Sequence, residues 1–167
     1  HDFMKPLGFG QLTGIDLQGE VRGVLPSTEW KRKTYRRPDQ KKWYGGETIS
    51  LGIGQGYNTF TMLQLAQATA TLANGGRRYQ PRLVIATQDA VSRQQQSLPG
   101  VEPVDLGYRP EHVEVIRKAL VGVTQEGTAA RVFAGAGYLS GGKTGTAQAV
   151  TIGQKEKYNA AKLEEHQ

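Results

Sequence analysis

The sequence predicts an α+β fold, and three observations carry that reading. Apolar residues recur at helical spacing over 61–74 and 110–124. Two other stretches, 81–87 and 138–150, are rich in the Val, Ile, Leu and Thr of strands. Glycine fills 22 of 167 positions, about twice the usual share, and is spread along the chain, so short elements are expected to be joined by many turns.

Residues 1–25 are short apolar pieces separated by glycine and read as loop rather than helix. The clearest helix is 61–74. Met62, Leu65, Ala66, Thr69, Leu72 and Ala73 lie on one stripe, which is expected to face the core. Thr61 and Gln64 have the spacing of a capping box, and Asn74-Gly75-Gly76 marks the end. A short strand is expected at 81–87, followed by an exposed Gln- and Ser-rich loop at 89–103. Pro110 opens the second helix, 110–124, with Val113, Ile116, Leu120 and Val123 on its apolar stripe. Thr128 has the chemistry to cap a third, shorter helix at 129–134. A strand is expected at 138–150, and the charged tail from 154 adds no apolar strand.

Composition narrows the function. The length suits one domain, and 37% hydrophobic residues are enough for a core. With no cysteine there is no thiolate nucleophile, disulfide or Cys-based zinc site. No apolar run approaches the ~18 residues of a membrane helix, so the chain itself reads as soluble. The net charge is +6, and seven cations fall within 31–42: Lys31, Arg32, Lys33, Arg36, Arg37, Lys41 and Lys42. Flanked by Trp30, Tyr35, Trp43 and Tyr44, they read either as a solvated loop with aromatic anchors or as a surface that tracks phosphates and stacks bases. In both readings the stretch is too charged to bury itself.

The chemistry concentrates in Gly137-Tyr138-Leu139-Ser140-Gly141-Gly142-Lys143-Thr144-Gly145-Thr146, which reads in three ways. Residues 137–144 spell a phosphate-binding loop, but no buried strand precedes them and poor helix material follows. Ser140 and Lys143 have the spacing of a serine nucleophile and its lysine base. That pair needs a helix, and two intervening glycines oppose one. On a strand, Lys143-Thr144-Gly145-Thr146 is the Lys-Thr-Gly element of penicillin-interacting serine enzymes. Here each residue type has a task. Lys143 attracts a substrate carboxylate, and the hydroxyls of Thr144 and Thr146 donate to it, with roughly 1.5–3 kcal/mol for each charge-assisted bond. Gly145 leaves room for a peptide beside the strand, and the Thr146 N–H suits an oxyanion hole. A glycine-broken surface strand with a solvated lysine is the plain alternative.

Six motifs in order add to this segment: Leu7-Gly8-Phe9-Gly10 with Thr13-Gly14-Ile15-Asp16-Leu17; Leu25-Pro26-Ser27 with Trp30-Lys31; Trp43-Tyr44-Gly45-Gly46-Glu47-Thr48; Gly52-Ile53-Gly54-Gln55-Gly56-Tyr57; Gly127-Thr128-Ala129; and Lys143-Thr144-Gly145-Thr146-Ala147-Gln148. Together they resemble the transpeptidase domain of the class B penicillin-binding proteins, in particular the cell-elongation branch, over nearly the whole chain.

The resemblance implies a partial penicillin-binding transpeptidase or β-lactamase-like fold, with residues 1–167 a fragment of that domain. It would lack the upstream helix carrying the nucleophile, the upstream Ser-x-Asn element and the downstream sheet strands. The basic loop 31–42 then belongs to the domain, and nucleic acid is not an expected partner. The implied reaction is serine acyl transfer between peptidoglycan stem peptides, with β-lactam antibiotics trapped as acyl-enzymes. By the same resemblance Lys143, Thr144, Gly145 and Thr146 bind the substrate, while Lys143 and the Thr146 N–H also serve catalysis. No metal or organic cofactor is implied. A membrane glycosyltransferase of the elongation machinery is the implied partner, and the periplasmic face of the inner membrane the implied location. A non-catalytic penicillin-recognising sensor or scaffold is the alternative from another class, with a nucleotide-binding protein behind it.

Overall fold

The computed structural model describes residues 1–145. They form α helices with two small antiparallel ribbons, arranged around a core of Leu7, Phe9 and Ala68 against which Met4, Leu25, Phe60, Leu72, Leu106 and Tyr108 pack. The N-terminal 25 residues are turns and irregular chain. A single bridge between Val24 and Thr59 ties them to the segment entering the longest early helix.

Helix α1 (Thr28–Thr34) starts where Ser27 accepts a hydrogen bond from the Trp30 N–H at 3.0 Å. One turn, α2 (Pro38–Lys41), leads into α3 (Gly45–Gly52), where the Glu47 carboxylate accepts from the Tyr44 N–H at 2.9 Å. The expectation that residues 31–42 stay wholly in solvent is overturned at its first residue. Lys31 is buried because Glu47, sixteen residues later, brings a carboxylate to its ammonium.

Helix α4 (Met62–Ala73) has the expected capping box: Gln64 N–H donates to Thr61 Oγ1 at 3.1 Å, and Thr61 N–H donates to Gln64 Oε1 at 3.1 Å. The face turned to the core differs from the expected stripe. Gln64, Gln67, Ala68 and Thr71 are buried, whereas Met62 keeps 75% and Leu65 49% of its surface exposed. Backbone oxygens from distant loops explain the reversal. The Gln64 Nε2 donates to Gln11 O at 2.5 Å and Arg22 O at 2.7 Å, the Gln67 Nε2 donates to Tyr79 O at 2.9 Å, and the Thr71 hydroxyl donates to Gln67 O at 2.7 Å. The Gln64 carboxamide, with its donors and acceptor used, is buried at little cost, whereas Gln67 is buried with its Oε1 unpartnered; both secure irregular backbone that has no ladder of its own. Gly8 makes the same packing possible: its φ is +102°, and a Cβ there would stand 2.8 Å from Gln67 Oε1.

Strands β1 (Arg77–Arg78) and β4 (Val104–Asp105) pair antiparallel, with Arg77 opposite Asp105. Strands β2 (Ala86–Gln88) and β3 (Gln95–Ser97) form a hairpin, Ala86 opposite Ser97. Two expectations change here. The strand expected at 81–87 begins only at Ala86, because the Leu83 and Val84 N–H groups donate to the two oxygens of Asp16, at 2.7 and 2.8 Å. Amides held by a carboxylate are lost to a ladder. The loop expected at 89–103 contains β3, all of whose residues are exposed.

Glu20 holds the other end of this arrangement, accepting from the Thr13 N–H at 2.6 Å and the Gly14 N–H at 3.1 Å. The backbone donors of Leu83 and Val84 hold the Asp16 carboxyl below its ordinary 3.8. Desolvation pushes Glu20 up, but the donors of Thr13 and Gly14 outweigh it and leave the group below 4.5. A carboxyl depressed by folding stabilises the fold above its ordinary pKa, and that contribution fades as pH falls through the depressed value. Hydrogen-exchange mass spectrometry on the full-length protein should therefore show residues 13–14 and 83–84 losing protection between about pH 5 and 3, ahead of α4. Equal loss in α4 would contradict this role.

Helix α5 (Pro110–Gln125) begins at proline as expected and buries Val113 and Thr124. Helix α6 (Ala130–Phe133) follows, but Thr128 does not cap it. Ala129 occupies the N-cap without a side-chain bond, because the chain leaves α5 in a tight turn with the Gly127 and Ala129 N–H groups donating to Gly122 O and Val123 O.

Candidate active site

The segment singled out by sequence is positioned by α5. The Thr124 hydroxyl, on the helix's last turn, lies 2.6 Å from Ser140 O and 2.9 Å from Val121 O. Two residues on, the Gly142 N–H donates to Leu120 O at 2.9 Å. Such a close approach favours glycine between these bonds, since a Cβ on Gly141 would stand 3.3 Å from Leu120 Cβ. Thr124 and Leu120 are thus the positioning residues that sequence reasoning missed. Thr124 gives a weak signal, a polar residue continuing the apolar side of α5.

This docking decides two of the three readings. Residues 136–145 are neither helix nor strand, so Ser140 and Lys143 share no helical face and cannot act as a serine–lysine pair of the helical kind. The Gly142 N–H, which a phosphate-binding loop would aim at its ligand, is already bonded to Leu120 O. The segment follows α6 instead of a buried strand.

Lys143, Thr144 and Gly145 come off the end of α5 exposed. The Lys143 Nζ donates to Thr144 O at 2.5 Å and stands 3.4 Å from Thr144 Oγ1. Among the described residues no carboxylate pairs with it. Among the described residues, a Cβ on Gly145 would meet nothing within 4 Å. No ladder pairing occurs in residues 138–145; the remainder of the expected strand, 146–150, lies outside the described residues, as do Thr146 and the charged tail. A hollow of about 300 Å³ opens beside this segment, between Thr124, Phe133, Tyr138, Leu139 and Ser140. An ammonium, a hydroxyl and an unobstructed backbone can together receive a carboxylate at the end of an extended peptide. Among the described residues no three His, Asp or Glu side chains gather to hold a metal ion, and no helix is long and apolar enough to cross a membrane.

The basic stretch forms a second polar centre. The Lys31 ammonium donates to Glu47 Oε1 and, at 2.8 Å, to Lys42 O. It lies over the rings of Tyr44, Tyr57 and Trp43 at 5.2, 5.4 and 5.9 Å from their centroids. Trp30 and Tyr35 pack on Tyr57, with centroids 5.3 and 6.1 Å away. The Tyr57 hydroxyl donates to Glu47 Oε1 at 2.9 Å. Desolvation, then this bond, raises its pKa well above the ordinary 10.0. Of the rings expected to stack bases, Trp30, Tyr35 and Trp43 pack on each other or on Tyr57, and Tyr44, with Lys31 and Lys42 over its ring, stays partly exposed.

Comparison with known proteins agrees with the resemblance carried by the six ordered motifs. The profile of the penicillin binding protein transpeptidase domain matches residues 1–165. The peptidoglycan D,D-transpeptidase MrdA of Haemophilus influenzae is 40% identical over 164 residues, covering 97% of this chain and 24% of the relative. The crystal structure of Pseudomonas aeruginosa PBP2 in complex with WCK 5153 superposes with a TM-score of 0.72 at 40% identity, over 89% of this chain and 32% of that one. A structure described as the structural coordination of polymerization and crosslinking by a peptidoglycan synthase complex gives a TM-score of 0.62 at 32% identity, over 86% and 22%. The chain spans about a quarter of the length of the curated relatives it matches.

Proposed function

From the membership of this chain in the penicillin-binding protein transpeptidase family, which the match over residues 1–165 establishes, we propose that it is part of a peptidoglycan D,D-transpeptidase of the penicillin-binding protein 2 type. One observation carries the reading: 40% identity to a named D,D-transpeptidase runs through 97% of the chain. In the reaction, a serine expected elsewhere in the whole protein attacks the D-Ala-D-Ala carbonyl of a stem peptide. Its proton passes to the leaving D-alanine through the neighbouring base. An amine of a second stem then takes the acyl group and frees the serine. The donor's terminal carboxylate sits on Lys143 and the hydroxyls of Thr144 and Thr146. The Thr146 N–H helps to hold the oxyanion, a contribution typically of about 3 kcal/mol in the transition state. A β-lactam enters by the same carboxylate and remains as the acyl-enzyme.

The same reading places the intact protein at the periplasmic face of the inner membrane beside a glycan-polymerising partner, in keeping with the synthase complex among the structural relatives. A fluorescent penicillin tests it. The full-length protein is expected to label covalently at one serine, while the 167-residue chain alone does not, because Ser140 has no helical lysine partner. An unlabelled full-length protein overturns the enzyme in favour of a sensor or scaffold. Label on the short chain overturns the placement of the nucleophile.

A further inference from the structure

The family function leaves one feature of the molecule unused: the charged surface that the Lys31 cage holds in place. All the other cations of residues 31–42 are exposed. Lys33 is offset by Glu29 at 2.7 Å and Arg37 by Asp39 at 2.9 Å, but Arg32, Arg36, Lys41 and Lys42 have no carboxylate partner among the described residues. The loop is held at both ends. Lys31 bonds to the backbone of Lys42, closing the stretch into a loop, and Glu47 fixes that closure to α3. Four unpaired cations are therefore presented on a preorganised scaffold, so little entropy is lost when a partner engages them.

The chemistry of the partner follows from what the loop shows and what it conceals. Guanidinium and ammonium groups select anions, and several on one loop select an anion that repeats. Trp30, Tyr35, Trp43 and Tyr57 face the cage and Tyr44 alone of the five rings keeps 48% of its surface exposed, with Lys31 and Lys42 over it, which leaves too little ring surface for the stacking that single-stranded nucleic acid needs or for the apolar wedge of an interfacial membrane anchor. What remains is recognition of a repeated anion through charge, and under the transpeptidase reading that anion is the stem-peptide carboxylate. We propose that the caged loop is a docking platform for peptidoglycan, held through the carboxylates of its stem peptides. The choice of this polyanion rests on the transpeptidase reading above.

The test uses the full-length protein and purified peptidoglycan sacculi in a co-sedimentation assay. Wild-type binding is expected to weaken steeply between about 50 and 300 mM salt. Replacing the four cations together, R32Q, R36Q, K41Q and K42Q, should weaken it about tenfold at the lower salt. Sacculi whose carboxyls have been converted to amides should lose wild-type binding to a similar degree, a measurement that does not depend on how the variant folds. Undiminished binding by the variant, or to amidated sacculi, overturns the proposal. So does loop-dependent binding to phosphatidylglycerol vesicles in place of sacculi, which would assign the loop to a membrane. Penicillin labelling separates the two readings: a labelled protein without loop-dependent sacculus binding refutes the platform alone, and loop-dependent binding by an unlabelled protein refutes the transpeptidase alone.

Discussion

Replacing Lys31 with alanine in the full-length protein is expected to cost about 3–5 kcal/mol of stability, the range for removing one partner of a buried ion pair. Only 3% of the Lys31 side chain and 18% of the Glu47 side chain is exposed, so water cannot take the ammonium's place at the carboxylate. The loss would leave the Glu47 charge with only the neutral donors of Tyr57 and Tyr44 and would free Lys42 O. Glu47 now lies below its ordinary 4.5 because the bonds from Lys31, Tyr44 and Tyr57 outweigh its desolvation. That sign means the pair stabilises the fold above this value and loses its grip as the carboxyl protonates below it. K31M with E47Q should recover much of the loss, since an apolar side chain beside a neutral carboxamide leaves no bare charge. Thermal denaturation and trypsin cleavage after Arg36, Lys41 and Lys42 provide the readouts. A K31A protein within about 1 kcal/mol of wild type, with its loop still protected, would show that the cage does not hold the loop.

This buried pair also shows which features of the fold local sequence could reveal. The ends of α4 were legible because the capping box Thr61–Gln64 and the Asn74-Gly75-Gly76 stop are patterns of a few adjacent residues, and the ordered family motifs were legible for the same reason. The buried side of α4 was not. Its decisive bonds run from Gln64 to Gln11 and Arg22, 53 and 42 residues away, and apolar periodicity ranks Met62 and Leu65 above two glutamines. Likewise, strand propensity at Leu83 and Val84 was overridden by Asp16, 67 and 68 positions earlier. Lys31 read as one more solvated cation because nothing adjacent announces Glu47. In the candidate site, the identities of Lys143, Thr144 and Gly145 were readable, but their support by Leu120 and Thr124 was not. A helix meeting a glycine pair twenty residues later leaves no periodic trace.

That support frames the effect expected at Lys143. In the full-length protein, Lys143→Ala should slow acylation by a fluorescent penicillin about 100-fold, corresponding to about 3 kcal/mol, the upper range for a hydrogen bond to a charged group. The residue is exposed, bonded among the described residues only to its own neighbour Thr144, and carried on backbone fixed to α5 by Gly142 and Ser140. Removing its ammonium should therefore leave the positioning of the segment intact and act on the ligand. The ligand itself supplies the control. If Lys143 works through the carboxylate, a penicillin whose carboxylate is masked as a methyl ester should react slowly with wild type and no more slowly with the variant. A structural role predicts equal losses for both compounds. Lys143→Arg should fall between, keeping the charge but displacing it along a longer, planar head. Acylation constants for the two penicillins against the three proteins make the comparison. A penalty that persists undiminished for the ester would remove Lys143 from carboxylate binding.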